Sequence, residues 1–251
     1  MNKNKIYIYP IIYFLLSLLG FGILYKMGIE YDDPKIHYAA IPMMLIIAGF
    51  VYKINGDKLI DLNELKPKKE YLGLNFIPFI TMLLVLFTIF ESFTNEVESR
   101  KVIWAFILTF LIGFSEEKMF RQFIFEEGKK FYSKRFLFLY STIAFSLVHM
   151  ANMASGLDFK SAALQSIVSL PVGLLAAFLY IETKNISALI FWHMSIDYSL
   201  FLRELGVFKT ELIFSKIIDK ILIIITVLLL IKKLKIYLSN RFSIFNNLTL
   251  D

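Results

Sequence analysis

Apolar stretches of about twenty residues recur along this chain, and that is the length an α-helix needs to cross the roughly 30 Å of bilayer hydrocarbon. Inside lipid every backbone N–H and C=O must be satisfied by the chain itself, which leaves helices as the spanning element for such stretches. Hydrophobic residues make up 57% of the 251 and charged residues 19%, with a mean hydropathy of +0.64, too little polar surface to coat a soluble globule. The expected fold is all-α: a polytopic membrane protein, one transmembrane domain over residues 1–251, built as a bundle of about eight transmembrane helices with residues 102–202 as its motif-bearing core.

The expected spans are Ile6 to Tyr25, Tyr38 to Tyr52, Leu72 to Phe93, Val102 to Phe125, Phe136 to Met153, Ala162 to Ile181, Ile186 to Leu202 and Ile213 to Ile231. The first is too long and aromatic for a cleaved signal peptide and is expected to be retained. The second is short and contains Pro42, Gly128 reads as a helix stop after the fourth, and Pro171 with Gly173 reads as a kink in the sixth. Eight spans put both termini on one side, and the loops of that side hold the larger share of Lys and Arg, including Lys66, Lys68, Lys69, Lys129, Lys130, Lys134 and Arg135. By the positive-inside rule both termini are cytoplasmic in a multi-pass cell-membrane protein, and topology rather than a nucleic-acid partner explains the net charge of +6. The absence of cysteine removes disulfides, thiolate nucleophiles and thiolate metal sites.

The fourth stretch breaks its own pattern. Glu116, Glu117, Lys118 and Arg121 stand inside it, and charge at membrane depth is expensive enough to mark function or a paired structural role. On a helix Glu117 and Arg121 are an i, i+4 pair with the acid N-terminal, the better orientation. Glu116 lies one step around, so one carboxylate is neutralised while the other stays free. Gly113 and Ser115 beside them permit close helix approach.

Two further pairs share helix faces at i, i+4: Phe145 with His149 on the fifth stretch, and His193 with Asp197 on the seventh. Counting about 1.5 Å per residue from the cytoplasmic ends puts Glu116 roughly 14 Å deep, His149 roughly 20 Å, His193 roughly 10 Å and Asp197 roughly 16 Å. One polar cluster reached from the cytoplasm is therefore geometrically reasonable. Taken singly, each buried His or Glu has a bland reading as interhelical glue. The third histidine, His37, falls just outside a span, and Asn152 reads as a helix-end residue.

EExxxR at Glu116 to Arg121, FxxxH at Phe145 to His149 and HxxxD at His193 to Asp197, in this order, resemble the CPBP family of CAAX proteases and bacteriocin-processing enzymes, also called Abi. The resemblance covers Ser115 to Asp197, about a third of the chain. Asp197 stands where the eukaryotic Ras-processing members carry Asn, which leaves the substrate class open.

That resemblance implies hydrolysis of a peptide bond in a membrane-associated peptide or protein, prenylated or not, with no covalent intermediate, cofactor or metal. Carried onto this chain, Glu116 and His149 activate a water, His193 and Asp197 serve the oxyanion side, and Glu117 pairs with Arg121. Asp197 either donates when protonated or orients His193. Other classes stay open: a zinc protease using His149, His193 and a carboxylate, although HExxH is absent; a non-catalytic scaffold or immunity protein; and a proton-coupled transporter with Glu and His as relays.

Overall fold

The computed structural model describes residues 3–56 and 99–204, which are helical throughout apart from their connections, with no strand among them. The expected third and eighth spans, and with them the full count of eight, lie outside these residues. The helices are α1 (Lys5–Lys26), α2 (Ile36–Ala39), α3 (Ile41–Asn55), α4 (Ser99–Glu117), a π-helical segment (Lys118–Phe123), α5 (Ile124–Gly128), α6 (Lys134–Val148), a 3-10 segment (His149–Ser155), α7 (Phe159–Thr183) and α8 (Ile186–Glu204).

Among the described residues, four helical stretches are long and apolar enough to cross a membrane: Lys5–Lys26, Ile36–Asn55, Lys134–Ser155 and Phe159–Thr183, with Ile186–Leu202 a shorter apolar helix. This is an integral membrane protein. Helix α4 is not among the four, because charged residues stand at both of its ends: Arg100 and Lys101 at one, Glu116 and Glu117 at the other. The second span is longer than the sequence suggested. It reaches from Ile36 to Asn55 because Pro42 falls in the first turn of α3, where a missing N–H removes no helical hydrogen bond. His37 is accordingly inside the span, 3% exposed, with its ring 4.8 Å from that of Phe201.

Helix α1 separates two faces along its length. Ile6, Pro10, Tyr13, Ser17 and Leu24, spaced three, four or seven apart, turn inward, while Ile8, Ile11, Leu15, Leu19 and Ile23 are exposed on the side available to lipid. Ser133 caps α6 by accepting from the Phe136 N–H at 3.2 Å, and Asp158 caps α7 by accepting from the N–H groups of Lys160 and Ser161 at 2.9 and 3.1 Å. Helix α7 runs on through Pro171.

Glycine and serine set how closely the helices approach. A Cβ on Gly113 of α4 would stand 2.9 Å from the carbonyl oxygen of Ile190 and 3.0 Å from the amide nitrogen of Met194, so α4 and α8 touch backbone to side chain-free backbone there. Gly173 of α7 does the same for α6, where a Cβ would meet the Phe145 ring at 2.9 Å. Gly128 does end α5, but its small size serves contact with Leu137 and Ile6. Across α6 and α7, Ser146 and Ser166 each donate to the other's backbone carbonyl, the polar pairing that lipid-embedded helices use in place of a hydrophobic driving force.

Candidate active site

The three sequence motifs meet where α4, α6, α7 and α8 pack together. Glu117 Oε2, at the end of α4, lies 3.2 Å from Arg121 Nε on the π-helical segment, both side chains fully buried, which is the expected i, i+4 pair. The stretch between them is π-helical from Lys118, a wider coil than the regular helix expected there and a form frequent at functional sites. Arg121 has two further partners: Nη2 donates to the Gly173 carbonyl at 3.5 Å, and the guanidinium lies over the Phe145 ring at 4.1 Å.

The other oxygen of Glu117 makes a contact that the sequence alone did not indicate. His193 Nδ1 is 2.8 Å from Glu117 Oε1. A carboxylate only accepts, so Nδ1 carries the proton and Nε2 is turned to the opposite side. There it meets Asp197 Oδ2 at 3.4 Å and Glu116 Oε2 at 3.7 Å. Two acidic groups face one ring nitrogen, so this arrangement is favourable only with a proton among the three. Glu117, from another helix, thus holds the His193 ring at Nδ1, while Asp197 and Glu116 share its Nε2 side.

The gradient of exposure follows the same division. Glu117 and Arg121 are sealed, His193 is 5% exposed, and the Glu116 and Asp197 side chains open to 13% and 20%. Glu116 Oε2 has no protein hydrogen-bond partner.

His149 enters from the end of α6, where the helix tightens to 3-10 geometry. Its Nδ1 lies 3.2 Å from the Phe145 carbonyl oxygen. Because a carbonyl only accepts, a neutral His149 keeps its lone pair on Nε2. The Phe145 ring stands edge-on to both imidazoles, with centroids 5.4 Å from His149 and 5.6 Å from His193. FxxxH therefore contributes a ring between the two imidazoles as well as a histidine.

One neighbour comes from far away in the sequence. Tyr13 of α1, 1% exposed, places its hydroxyl 3.1 Å from Ser115 Oγ, immediately before the paired acids, and its ring packs 5.4 Å from Phe120. Ser115 also donates to the Ile112 carbonyl at 3.1 Å, so the tyrosine is the donor in the shared contact. The only trace of this in the sequence is that Tyr13 shares a helix face with Pro10 and Ser17. Asn152, expected as a helix-end residue, lies in the 3-10 segment and donates through Nδ2 to Gln165 Oε1 of α7 at 2.9 Å.

A protein-family model, type II CAAX prenyl endopeptidase Rce1-like, matches residues 98–199, a segment that contains all three motifs. The match supports the CPBP/CAAX protease family for the segment that carries the three motifs. The Rce1-like segment begins at the start of α4 and ends two residues beyond Asp197; Tyr13 lies outside it. No curated protein and no solved structure matches the chain. The CPBP/CAAX family is one of intramembrane endopeptidases acting on membrane-associated proteins, which sets the reaction class against which the cluster is read.

Proposed function

We propose that this chain is an intramembrane endopeptidase that hydrolyses a peptide bond by direct attack of water. Glu116 is the general base, assisted by His149; His193 and Asp197 serve the oxyanion; Glu117 and Arg121 hold His193. The observation that carries this reading is the convergence of Glu116 and Glu117 on α4 and Arg121 on the π-helical segment with His193 and Asp197 on α8, in contact inside the bundle.

In this scheme Glu116 takes a proton from water as the oxygen attacks the scissile carbonyl carbon. The carbonyl π electrons move onto oxygen, and a proton on His193 Nε2 or Asp197 stabilises that oxyanion. Collapse of the tetrahedral species breaks the C–N bond, and the proton held by Glu116 passes to the leaving amine. Glu117 keeps the His193 proton on Nδ1 and its ring in place, and Arg121 compensates the buried charge of Glu117. The substrate class this scheme suits is a membrane-associated peptide or protein.

A zinc centre would need His149 and His193 on one ion, at about 2.0–2.1 Å from each nitrogen. The Phe145 ring borders both imidazoles, and among the described residues no group of three His, Asp or Glu side chains has an arrangement suited to a metal.

The test is cleavage of farnesylated and unmodified CAAX peptides by the purified chain, with and without chelator, together with a search for membrane peptides that accumulate in cells carrying Glu116→Gln. Cleavage that resists chelation and vanishes in Glu116→Gln supports the reading. Full biological activity of both Glu116→Gln and His149→Ala would make the chain a binding or immunity protein instead.

A further inference from the structure

The π-helical segment Lys118–Phe123 closes differently from the regular helices on either side of it. At its end the backbone N–H groups go to the carbonyls of Met119 and Arg121 and skip that of Phe120. In a regular helix the N–H four residues on would take that carbonyl; a wide coil frees it, and a freed carbonyl at a buried residue needs another donor. Ser141 of α6, also buried, supplies one: its hydroxyl donates to the Phe120 carbonyl at 2.6 Å.

Helix α1 meets the same coil. Tyr9 and Tyr13, one turn apart, lie against Phe123 and Phe120, with ring centroids 5.2 and 5.4 Å apart. The Tyr13 hydroxyl is bonded to Ser115 Oγ at 3.1 Å, so this one side chain touches a residue before the two glutamates and a residue after them, across the junction of regular helix and wide coil. Closing the coil to a regular helix would turn one end against the other by about 100°, the turn of one residue. Gly113 keeps the α4 end close against the α8 backbone, so the turn would fall on Phe120 and Arg121. It would draw the guanidinium off Glu117, whose other oxygen holds the His193 ring.

We propose that Ser141 and Tyr13 are positioning residues for the reaction: they hold the coil after Glu117 in its wide form, and that form keeps Arg121, Glu117 and His193 in register. Both are buried and act through the helix, not on substrate. The catalytic part of this role rests on Glu116 and His193 as the reacting groups, whereas the hold on the coil does not.

The dipeptide Phe-Arg occurs once in the chain, at Phe120–Arg121, so labelling with 13C-carbonyl phenylalanine and 15N arginine isolates the Phe120 carbonyl in the NMR spectrum of the full chain in detergent. With 15N histidine only three rings report, and the His193 signal is the one missing from His193→Gln. Ser141→Ala should move the Phe120 carbonyl signal and, with it, the His193 Nδ1 signal. Tyr13→Phe, which keeps the ring on Phe120, should move the His193 signal in the same direction. In both variants kcat for the CAAX peptide should fall about a hundredfold, the cost of a misplacement of about 1 Å, with KM unchanged. A role in packing alone would lower the melting curve and leave the His193 signal of the folded protein in place, and that result in both variants overturns the proposal. A moved His193 signal with kcat intact overturns it as well. Cleavage by Glu116→Gln at the wild-type rate would instead remove the general-base reading, while the two NMR signals still decide whether Ser141 and Tyr13 hold the coil and His193.

Discussion

His193 Nδ1 is 2.8 Å from Glu117 Oε1, while the neighbouring Glu116 meets the same imidazole at Nε2, 3.7 Å away. Two consecutive glutamates thus grip one ring on its two nitrogens, and only one of them is compensated by Arg121. Their substitutions should therefore separate. Glu117→Gln leaves Arg121 buried without its counter-ion, a loss on the order of 3–5 kcal/mol for a broken buried pair, so the detergent melting curve should fall along with turnover. Glu116→Gln should keep the melting curve and lose cleavage by about a hundredfold or more, the usual weight of a general base. Equal melting curves for both variants would remove the division of roles.

Gly113 and Gly20 offer a contrast between two close approaches. A Cβ on Gly113 meets backbone atoms of Ile190 and Met194, which cannot swing aside, whereas a Cβ on Gly20 meets only the flexible side chain of Met43. Gly113→Ala should push α8 away from α4, destabilise by roughly 1–3 kcal/mol and lower turnover, since His193 moves with α8. Gly20→Ala should be close to neutral in both assays. Similar losses in the two variants would show that α8 has no special closeness to α4.

Tyr13 and Ser115 form a buried hydroxyl pair, so removing one partner should cost more than removing both. Tyr13→Phe and Ser115→Ala should each lower stability by about 1 kcal/mol, and the double variant should recover part of that loss. Additive losses in the melting curves would mean that the two hydroxyls are not coupled.

Glu126 lies just beyond the fourth span, where it binds Lys129, accepts from Lys184 Nζ at 3.1 Å and accepts from the Tyr180 hydroxyl at 3.0 Å. Partial burial alone would raise its pKa, but these donors outweigh it and hold the carboxyl below the ordinary value. A carboxyl depressed in the folded state contributes stability that is complete above its unfolded pKa, about 4.3, and is lost as pH falls through the lower folded value. Melting temperature should therefore drop from about pH 5 downward, and Glu126→Gln should flatten part of that slope. The side chain is partly exposed, so the effect should be small and should weaken in high salt. An unchanged slope in Glu126→Gln would assign the acid sensitivity to other groups.

Reporter fusions test orientation. Fusions after Lys69, Arg135 and Arg241 should all read cytoplasmic if the excess of basic residues sets the topology. An external reading at Arg135 would reverse the side from which the Glu116 cluster is reached.

The amino-acid sequence by itself determined the solvent this protein lives in, most of the helix limits among the described residues, and the Glu117–Arg121 pair. All of these depend on composition or on neighbours within one turn. It also singled out the residues of the cluster, because polar groups in an apolar stretch stand out whatever surrounds them. Only the tertiary structure decided which groups those residues meet. The bond from His193 to Glu117 joins residues 76 apart, and that from Tyr13 to Ser115 joins residues 102 apart. Helix periodicity says which face a side chain occupies but not which helix lies opposite. The π-helical coil after Glu117 and the 3-10 turn carrying His149 likewise follow from packing against neighbouring helices, which overrides the weak local preferences that separate one helical form from another.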